Sequence, residues 1–496
     1  MATIALVGAG PGGLASAMRL AAAGHRVTVY EAHARVGGRM RGFDEGPYGF
    51  DTGPTILQVP RVYDQLFADC GLNRESYVQF RRVSPNTRLR FWDDSVLDLT
   101  SDLEAFRVQL AALRPDLPAR FDRWYMEHIQ KNIVGYEPYL GTPVRSIPGY
   151  LNPLELAAAL PFRPWESLYQ HFWRHFADER VVYALSYPSK YLGMHPTRCS
   201  SVFSLIAFLE FADGIWHPVG GFRALAQALA RAAQDLGVTI HCDAPVKRVV
   251  TTNGRASGLE LASGERIAAD LVVVNADFAH GMRHLLDERD RGRYTDDRLE
   301  KLHFSCSTFM IYLGVNRRYE DLPHHQLYLS RHILRRDRPY IDDSALDDVD
   351  PPFYVCNPSV IDPSNAPDGH STLFVLVPIP NTRYGVDWAA HEQRYRDLII
   401  ERLPLLGYHD VAAHIVSETR YTAQTWQDAF AVHLGAVFNL SHGWTQLGPF
   451  RPHIRSDAVR GLYWVGGAVH PGSGLLTILE AAKSTAHFVA QDLAAT

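Results

Sequence analysis

Ala5-Leu6-Val7-Gly8-Ala9-Gly10-Pro11-Gly12-Gly13-Leu14-Ala15 reads as a buried strand, a glycine turn and the start of a helix. Gly8 allows the tight turn, Gly10 lets backbone approach a pyrophosphate, and Gly13 lets the helix pack close on the strand. Gly12 lies within the same turn. The free N–H groups and positive end of that helix suit phosphate. A second strand, Arg26-Val27-Thr28-Val29-Tyr30, ends in Glu31, whose carboxylate falls where a ribose hydroxyl would sit. Strand, triplet, helix, strand and terminal acid in this order predict a dinucleotide site rather than a structural turn.

The next residues separate nicotinamide from flavin. Val36-Gly37-Gly38-Arg39 follows Glu31 closely, letting the chain pass tightly under a diphosphate and bring a guanidinium to it. A nicotinamide domain has no need of this loop, so FAD is the expected cofactor. Far along the chain, Gly461-Leu462-Tyr463-Trp464-Val465-Gly466-Gly467-Ala468 is another buried strand running into glycines. Val469-His470-Pro471-Gly472-Ser473-Gly474 and a helical run from Leu475 to Ala490 follow it. This second glycine turn is expected at the flavin, with Gly466, Gly467 and Val469 among the cofactor-binding residues. Nearly the whole chain separates the two turns, so the FAD domain must be discontinuous.

These residues carry a family resemblance. The chain resembles the bacterial carotenoid desaturases of the phytoene desaturase type, within the wider FAD superfamily that includes amine oxidases. The N-terminal motif, Val36–Arg39 and Phe50-Asp51-Thr52-Gly53-Pro54-Thr55 resemble the family's opening. Trp216-His217-Pro218-Val219-Gly220-Gly221-Phe222-Arg223-Ala224-Leu225 resembles its central motif, and Val274-Asn275-Ala276-Asp277 the strand end that returns to the flavin. Phe450-Arg451-Pro452-His453, Gly466–Gly474 and Ala482-Lys483-Ser484-Thr485-Ala486 resemble its C-terminal signature. The resemblance spans essentially the full length. It implies backbone contacts to adenine at Val246 and a flavin-facing Asp277. Two stretches depart from the family pattern. Leu475–Glu480 replaces the usual Gly-Ile/Val-Pro ending, and Ser146–Asn152 replaces a common Arg/Asp pair.

The fold implied is α/β: a discontinuous Rossmann-like FAD-binding domain with an interleaved α+β substrate- and membrane-associating domain. The expected borders are 1–80, 218–290 and 455–496 for the first, and 81–217 and 291–454 for the second. The sequence predicts a helix over 221–236, strands at 238–241, 246–250 and 271–274, and a hairpin at Asn253-Gly254. It also predicts strands at Thr308–Val315 and Ser371–Val377 flooring a substrate tunnel, and a turn at Asp348–Pro352.

Composition fits a large enzyme of this kind. The 496 residues are 46% hydrophobic and 21% charged, with a net charge of −5 that leaves no nucleic-acid footprint. Five scattered cysteines form no zinc or disulfide pattern, no metal constellation is evident, and a reducing cytoplasm is expected. Residues 1–23 read as strand and helix rather than a signal peptide. No stretch reaches the roughly 18 apolar residues of a spanning helix. Residues 147–176 are broken by Pro148, Pro153, Pro161 and Pro164 and loaded with Leu, Phe and Trp beside Arg163, His171, Arg174 and His175. They suit peripheral association with a membrane surface or, equally, a tunnel wall.

For chemistry, His470 is a candidate proton-handling residue, and Glu210 and Asp213 candidates to reach the tunnel. Glu480 is a candidate partner for a hydroxylated substrate end, and Lys190 could hold a water near flavin N5, as a lysine does in amine oxidases. The resemblance implies desaturation of a C40 or C30 carotenoid, with hydride passing to flavin N5 and a membrane quinone or oxygen as electron acceptor. The departures point to a later-pathway substrate such as a 1-hydroxy carotenoid desaturated at C3–C4. A phytoene- or lycopene-forming desaturase, a redox-neutral carotenoid isomerase, a carotenoid oxygenase and a non-enzymatic prenyl-protein escort are the competing readings.

Overall fold

The computed structural model describes residues 1–133, 160–331 and 350–495. Strand β1 (Thr3–Val7), helix α1 (Pro11–Ala22) and strand β2 (Arg26–Tyr30) form where the opening motif predicts them. They nucleate a five-stranded, all-parallel sheet in the order Thr239–His241, β2, β1, Leu271–Val274, Leu462–Trp464. Its central strands are almost continuous apolar runs, as expected where helices cover both faces. Ile4, Leu6, Val29, Val272, Val273 and Val274 are fully buried. Helix α1 packs against the helices Phe222–Asp235 and Leu475–Ala494.

Register does the positioning. Val7 pairs with both Tyr30 and Val274, and Val274 with Trp464. The residues that leave these strands, Gly8, Glu31, Asn275 and Val465-Gly466, therefore emerge along one sheet edge from stretches far apart in sequence. That carboxyl-terminal edge is where open α/β sheets bind ligands. The hairpin at Asn253-Gly254 has both residues at positive φ (52° and 70°), the backbone that favours Asn-Gly in two-residue loops.

A second, seven-stranded sheet runs in the order Ile415–Tyr421, Ser307–Val315, Ser371–Ile379, Phe353–Cys356, His325–Leu329, Thr87–Phe91, Val96–Leu99. Its pairs are antiparallel apart from the parallel pair of His325–Leu329 with Thr87–Phe91. Alternation divides its two faces. Phe309, Ile311, Leu313, Val375 and Val377 pack under the helix Trp388–Arg402, while Thr308, Met310, Leu327, Leu376 and Pro378 face a cavity. Helices Leu103–Leu113, Leu117–Lys131, Leu168–Phe176, Glu179–Ser186 and Ser204–Ala212 build a further apolar cluster beside it. The borders expected at 80/81 and 217/218 run through a small sheet of Leu57–Gln58, Ile215–Pro218 and Phe80–Val83. The turn at 348–352 is described only from Asp350, and the first part of 147–176 lies outside the described residues.

Candidate active site

The two sheets enclose one cavity of about 580 Å³. Gly8, Gly10, Gly12, Glu31, Gly38, Arg39, Val246, Asp277, Gly466 and Gly467 all line it. At its first turn the fit of backbone to backbone excludes side chains. A Cβ on Gly13 would stand 2.2 Å from the Gly8 carbonyl oxygen, and one on Gly10 would stand 2.7 Å from Asn275 Nδ2. Gly13 thus sets the approach of α1 to β1 without itself facing the cavity. Gly10 is the N-cap of α1 with no side-chain cap and no acidic residue in the first turn. Its N–H groups and positive end are open to an anion in the cavity.

Glu31 is buried and fixed. Its Oε2 accepts the Ala9 N–H (2.7 Å) and its Oε1 the His33 N–H (3.0 Å). A carboxylate oxygen has further lone pairs, so the group still offers acceptors to a ribose. The Gly37 N–H donates to the Ala9 carbonyl (2.8 Å), stapling the loop at 36–39 under the first turn. Arg39 donates to the Val437 carbonyl. The Asn439 amide, oriented to satisfy its neighbours, accepts from Arg39 at 3.2 and 3.1 Å and donates to Asp277 Oδ2 at 3.0 Å. Burial raises the Asp277 pKa, opposed by the His280 N–H it accepts as helix N-cap (3.0 Å) and by Arg39. The Thr52 hydroxyl donates to the Arg39 carbonyl (2.6 Å), and Asp51 accepts the Phe222 and Arg223 N–H groups (2.7 and 2.8 Å). The stretch 50–55 therefore locks the arginine loop to the central motif.

Two organising residues lie inside quoted stretches but were not singled out in the sequence. Asn275 follows the central strand, donates to the Gly8 carbonyl (3.2 Å) and lines the cavity. Arg451 is fully buried and donates to five carbonyls, those of Val469, Ser441, Gln446, Leu440 and Gly467, at 2.7–3.3 Å. Burial lowers its pKa to about 9. It gathers the C-terminal turn from behind, and its signal in the sequence was an arginine between Phe450 and Pro452 in an otherwise apolar stretch.

Several expected roles need correction. Val469 does not line the cavity; it is buried, with its carbonyl turned to Arg451. His470 is likewise packed away from the cavity, and burial, with Arg451 next, lowers its pKa to about 3. Glu480 is half-buried where the C-terminal helix packs against neighbouring helices, near Lys483, Arg19 and Asp69, and does not line the cavity, whereas Ile478 of the same helix does. Asp213 lies 3.8 Å from Arg61 and does not line the cavity. Glu210 stands one layer behind the wall. It accepts from Gln58 Nε2 (2.7 Å), and Gln58 and the neighbouring Tyr191 line the cavity. Burial raises its pKa to about 8, with Tyr191 and Gln58 pulling the other way. Lys190 does face the cavity, and burial lowers its pKa to about 7.

The fit to FAD rests on this geometry. A glycine cradle that a Cβ would fill, a fixed carboxylate at Glu31 and the Arg39 guanidinium share one cavity, which Met310, Leu327, Leu329 and Leu376 also line. The model of the flavin containing amine oxidoreductase family matches residues 11–490. The all-trans-zeta-carotene desaturase of Myxococcus xanthus is 48% identical over 99% of this chain and 93% of its own length. The chain belongs to this flavin-containing family, among its bacterial carotenoid desaturases. The zeta-carotene-forming phytoene desaturase of the same organism is 36% identical over 97% of this chain and 92% of its own. An oxidoreductase of Methanosarcina mazei, 18% identical, superimposes with a TM-score of 0.64 over 98% of this chain and all of its own, which shows the shared fold alone. The protein is an FAD-dependent oxidoreductase. Bound FAD supplies the hydride acceptor for oxidation at carbon. The residues that would hold it are the α1 N-terminus and Arg39, suited to a diphosphate, Glu31, suited to a ribose hydroxyl, and the second glycine turn at Gly466-Gly467, all of which line the cavity.

Proposed function

We propose that the enzyme desaturates an acyclic C40 carotenoid that already carries a conjugated segment, of the ζ-carotene kind, in preference to phytoene. The observation that carries this is the apolar half of the cavity, where Met310, Leu327, Leu329 and Leu376 extend from the flavin cradle. Such a wall orients a polyene by contact and excludes water, and supplies little that would bind a polar substrate. The greater identity to the ζ-carotene-consuming relative than to the ζ-carotene-forming one supports the later position. Desaturation removes a hydride and a proton from neighbouring carbons. Within reach of the cavity, Lys190 is the group suited to take that proton, since near neutral pH part of it is uncharged. A 1-hydroxy carotenoid is the second reading. Glu480 no longer supports it, but Gln58, backed by Glu210, offers a polar spot on the wall for a hydroxyl. The division into FAD-binding (1–80, 218–290, 455–496) and interleaved substrate parts (81–217, 291–454) belongs to the same proposal.

The reading also includes reversible association with a membrane, from which so insoluble a substrate must come, and a quinone or oxygen as final acceptor. Leu160, Trp165 and Trp173 are 59%, 60% and 43% exposed, beside Arg163 and Arg174. Aromatics among cations suit an interfacial position. No helix among the described residues is long and apolar enough to cross a membrane. One holoenzyme preparation offered phytoene, ζ-carotene and a 1-hydroxy carotenoid in liposomes tests the substrate. Red-shifted absorbance is expected first and fastest with ζ-carotene. Efficient conversion of phytoene alone would overturn the later position, and a changed cis/trans pattern without a red shift would favour the isomerase.

A further inference from the structure

At the end of two strands that line the cavity, the antiparallel register sets His325 directly opposite Cys356, so the two side chains share one face of the sheet. His324 precedes them, its ring centroid 4.3 Å from that of His325. All three residues are buried, and their ligand atoms lie within 4.8 Å of one another. The His325 ring is already oriented. Its Nδ1 is 2.7 Å from the Tyr354 hydroxyl, itself 2.8 Å from Thr55 Oγ1, which leaves Nε2 as the nitrogen available to a ligand. That Nε2 has no hydrogen-bond partner, and neither ring nitrogen of His324 has one. Buried polar atoms are normally satisfied, and two imidazoles with unpartnered nitrogens beside one thiol, itself in contact with the Tyr354 hydroxyl, leave donors for an occupant. The adjacent His217 is held by Asp362 (3.1 Å) and is not available to fill the gap.

We propose that His324, His325 and Cys356 bind a divalent transition-metal ion of the zinc type, with water in the remaining tetrahedral position. Two imidazoles and a thiolate are the borderline-soft donor set that Zn²⁺ prefers. Bond lengths of about 2.0–2.3 Å bring tetrahedral ligands to about 3.3–3.8 Å of each other, so the cluster needs to contract by only about 1 Å. Cys356 binds as thiolate, its proton passing to solvent. The Tyr354 hydroxyl fixes the ring orientation of His325 from outside the ligand set. Such an ion would tie the start of His325–Leu329 to the end of Phe353–Cys356, the two strands whose Leu327, Leu329, Phe353 and Tyr354 line the cavity. The site is separate from the flavin cradle and does not depend on the substrate reading. The sequence hid it, because only strand pairing unites residues 324–325 with 356.

The test uses chelator-dialysed holoenzyme titrated with Co²⁺ and, separately, Zn²⁺. One Co²⁺ per chain is expected, with visible d–d bands and a thiolate-to-metal charge-transfer band that Zn²⁺ displaces. Cys356→Ser should abolish the charge-transfer band, whereas Cys242→Ser, at the exposed cysteine, should retain it. His324→Gln keeps the thiol and should abolish tight binding, so the site remains testable if Cys356→Ser fails to fold. Tyr354→Phe should weaken metal affinity roughly 10–100-fold. Zn²⁺ should raise the Tm of wild type and not of His324→Gln. A wild-type protein with neither charge-transfer band nor Zn²⁺-dependent Tm, or a band lost in Cys242→Ser and kept in Cys356→Ser, would overturn the site.

Discussion

Arg39 meets partners from three distant stretches: Val437 and Asn439 on one loop, Asp277 at the end of the central sheet, and Thr52 through its own carbonyl. Arg39→Ala is expected to weaken FAD binding by roughly 1.5–3 kcal/mol, the range for a hydrogen bond to a charged group, read by equilibrium dialysis with flavin fluorescence. Arg451→Lys should lower both Tm and flavin content, because a lysine cannot fork to five carbonyls and each one orphaned costs about 1–3 kcal/mol. Glu210 gives a pH signature. Its carboxyl titrates near 4.5 when unfolded and near 8 when folded, so the native state holds the extra proton in between. Stability present below pH 4.5 is lost as pH rises toward 8, at up to about 1.4 kcal/mol per unit. Urea unfolding at several pH values should show this slope in wild type and a flatter one in Glu210→Gln; identical slopes would contradict the buried, protonated acid.

At the scale of elements, most of the framework was legible because periodicity and turn chemistry are local. The helix expected at 221–236 forms over Phe222–Asp235, the strand expected at 308–315 over Ser307–Val315, and the last helix runs on to Ala494. The glycine turns were legible for the same reason, since a close approach admits no side chain whatever the partner. Gly13→Ala tests this: the added Cβ meets the Gly8 backbone, which cannot yield as a side-chain tip could, and a loss of about 1–3 kcal/mol with loss of flavin is expected in thermal melts. What sequence could not supply was the direction of a side chain at a helix or turn surface. His470 and Glu480 lie within a few residues of cavity-lining Ser473 and Ile478, yet each points elsewhere. Arg451, in contrast, draws its role from carbonyls on loops that only tertiary packing assembles.

Across the whole molecule, the two sheets line one cavity differently: the carboxyl-terminal edge of the parallel sheet brings glycines, Glu31 and Asn275 to it, and one face of the mixed sheet brings Met310, Leu327, Leu329 and Leu376. One group of exposed apolar side chains, Leu160, Trp165 and Trp173, lies beside the helical cluster. Replacing Leu160, Trp165 and Trp173 with Ser should reduce flotation with liposomes while flavin content stays unchanged. Each large apolar side chain withdrawn from water is worth about 1.5–3 kcal/mol. Phe162 is unsuitable for this test because it is only 7% exposed and belongs to the core. Unchanged flotation would return the segment to a purely structural role. Cofactor and substrate can be followed in one observation. Holoenzyme is mixed anaerobically with ζ-carotene in liposomes while the flavin and polyene spectra are followed together. Oxidised-flavin absorbance is expected to bleach in step with a red shift of the polyene, and Arg39→Ala protein depleted of FAD to do neither. A red-shifted product with the flavin spectrum unchanged, or a bleached flavin with no new conjugation, would contradict it.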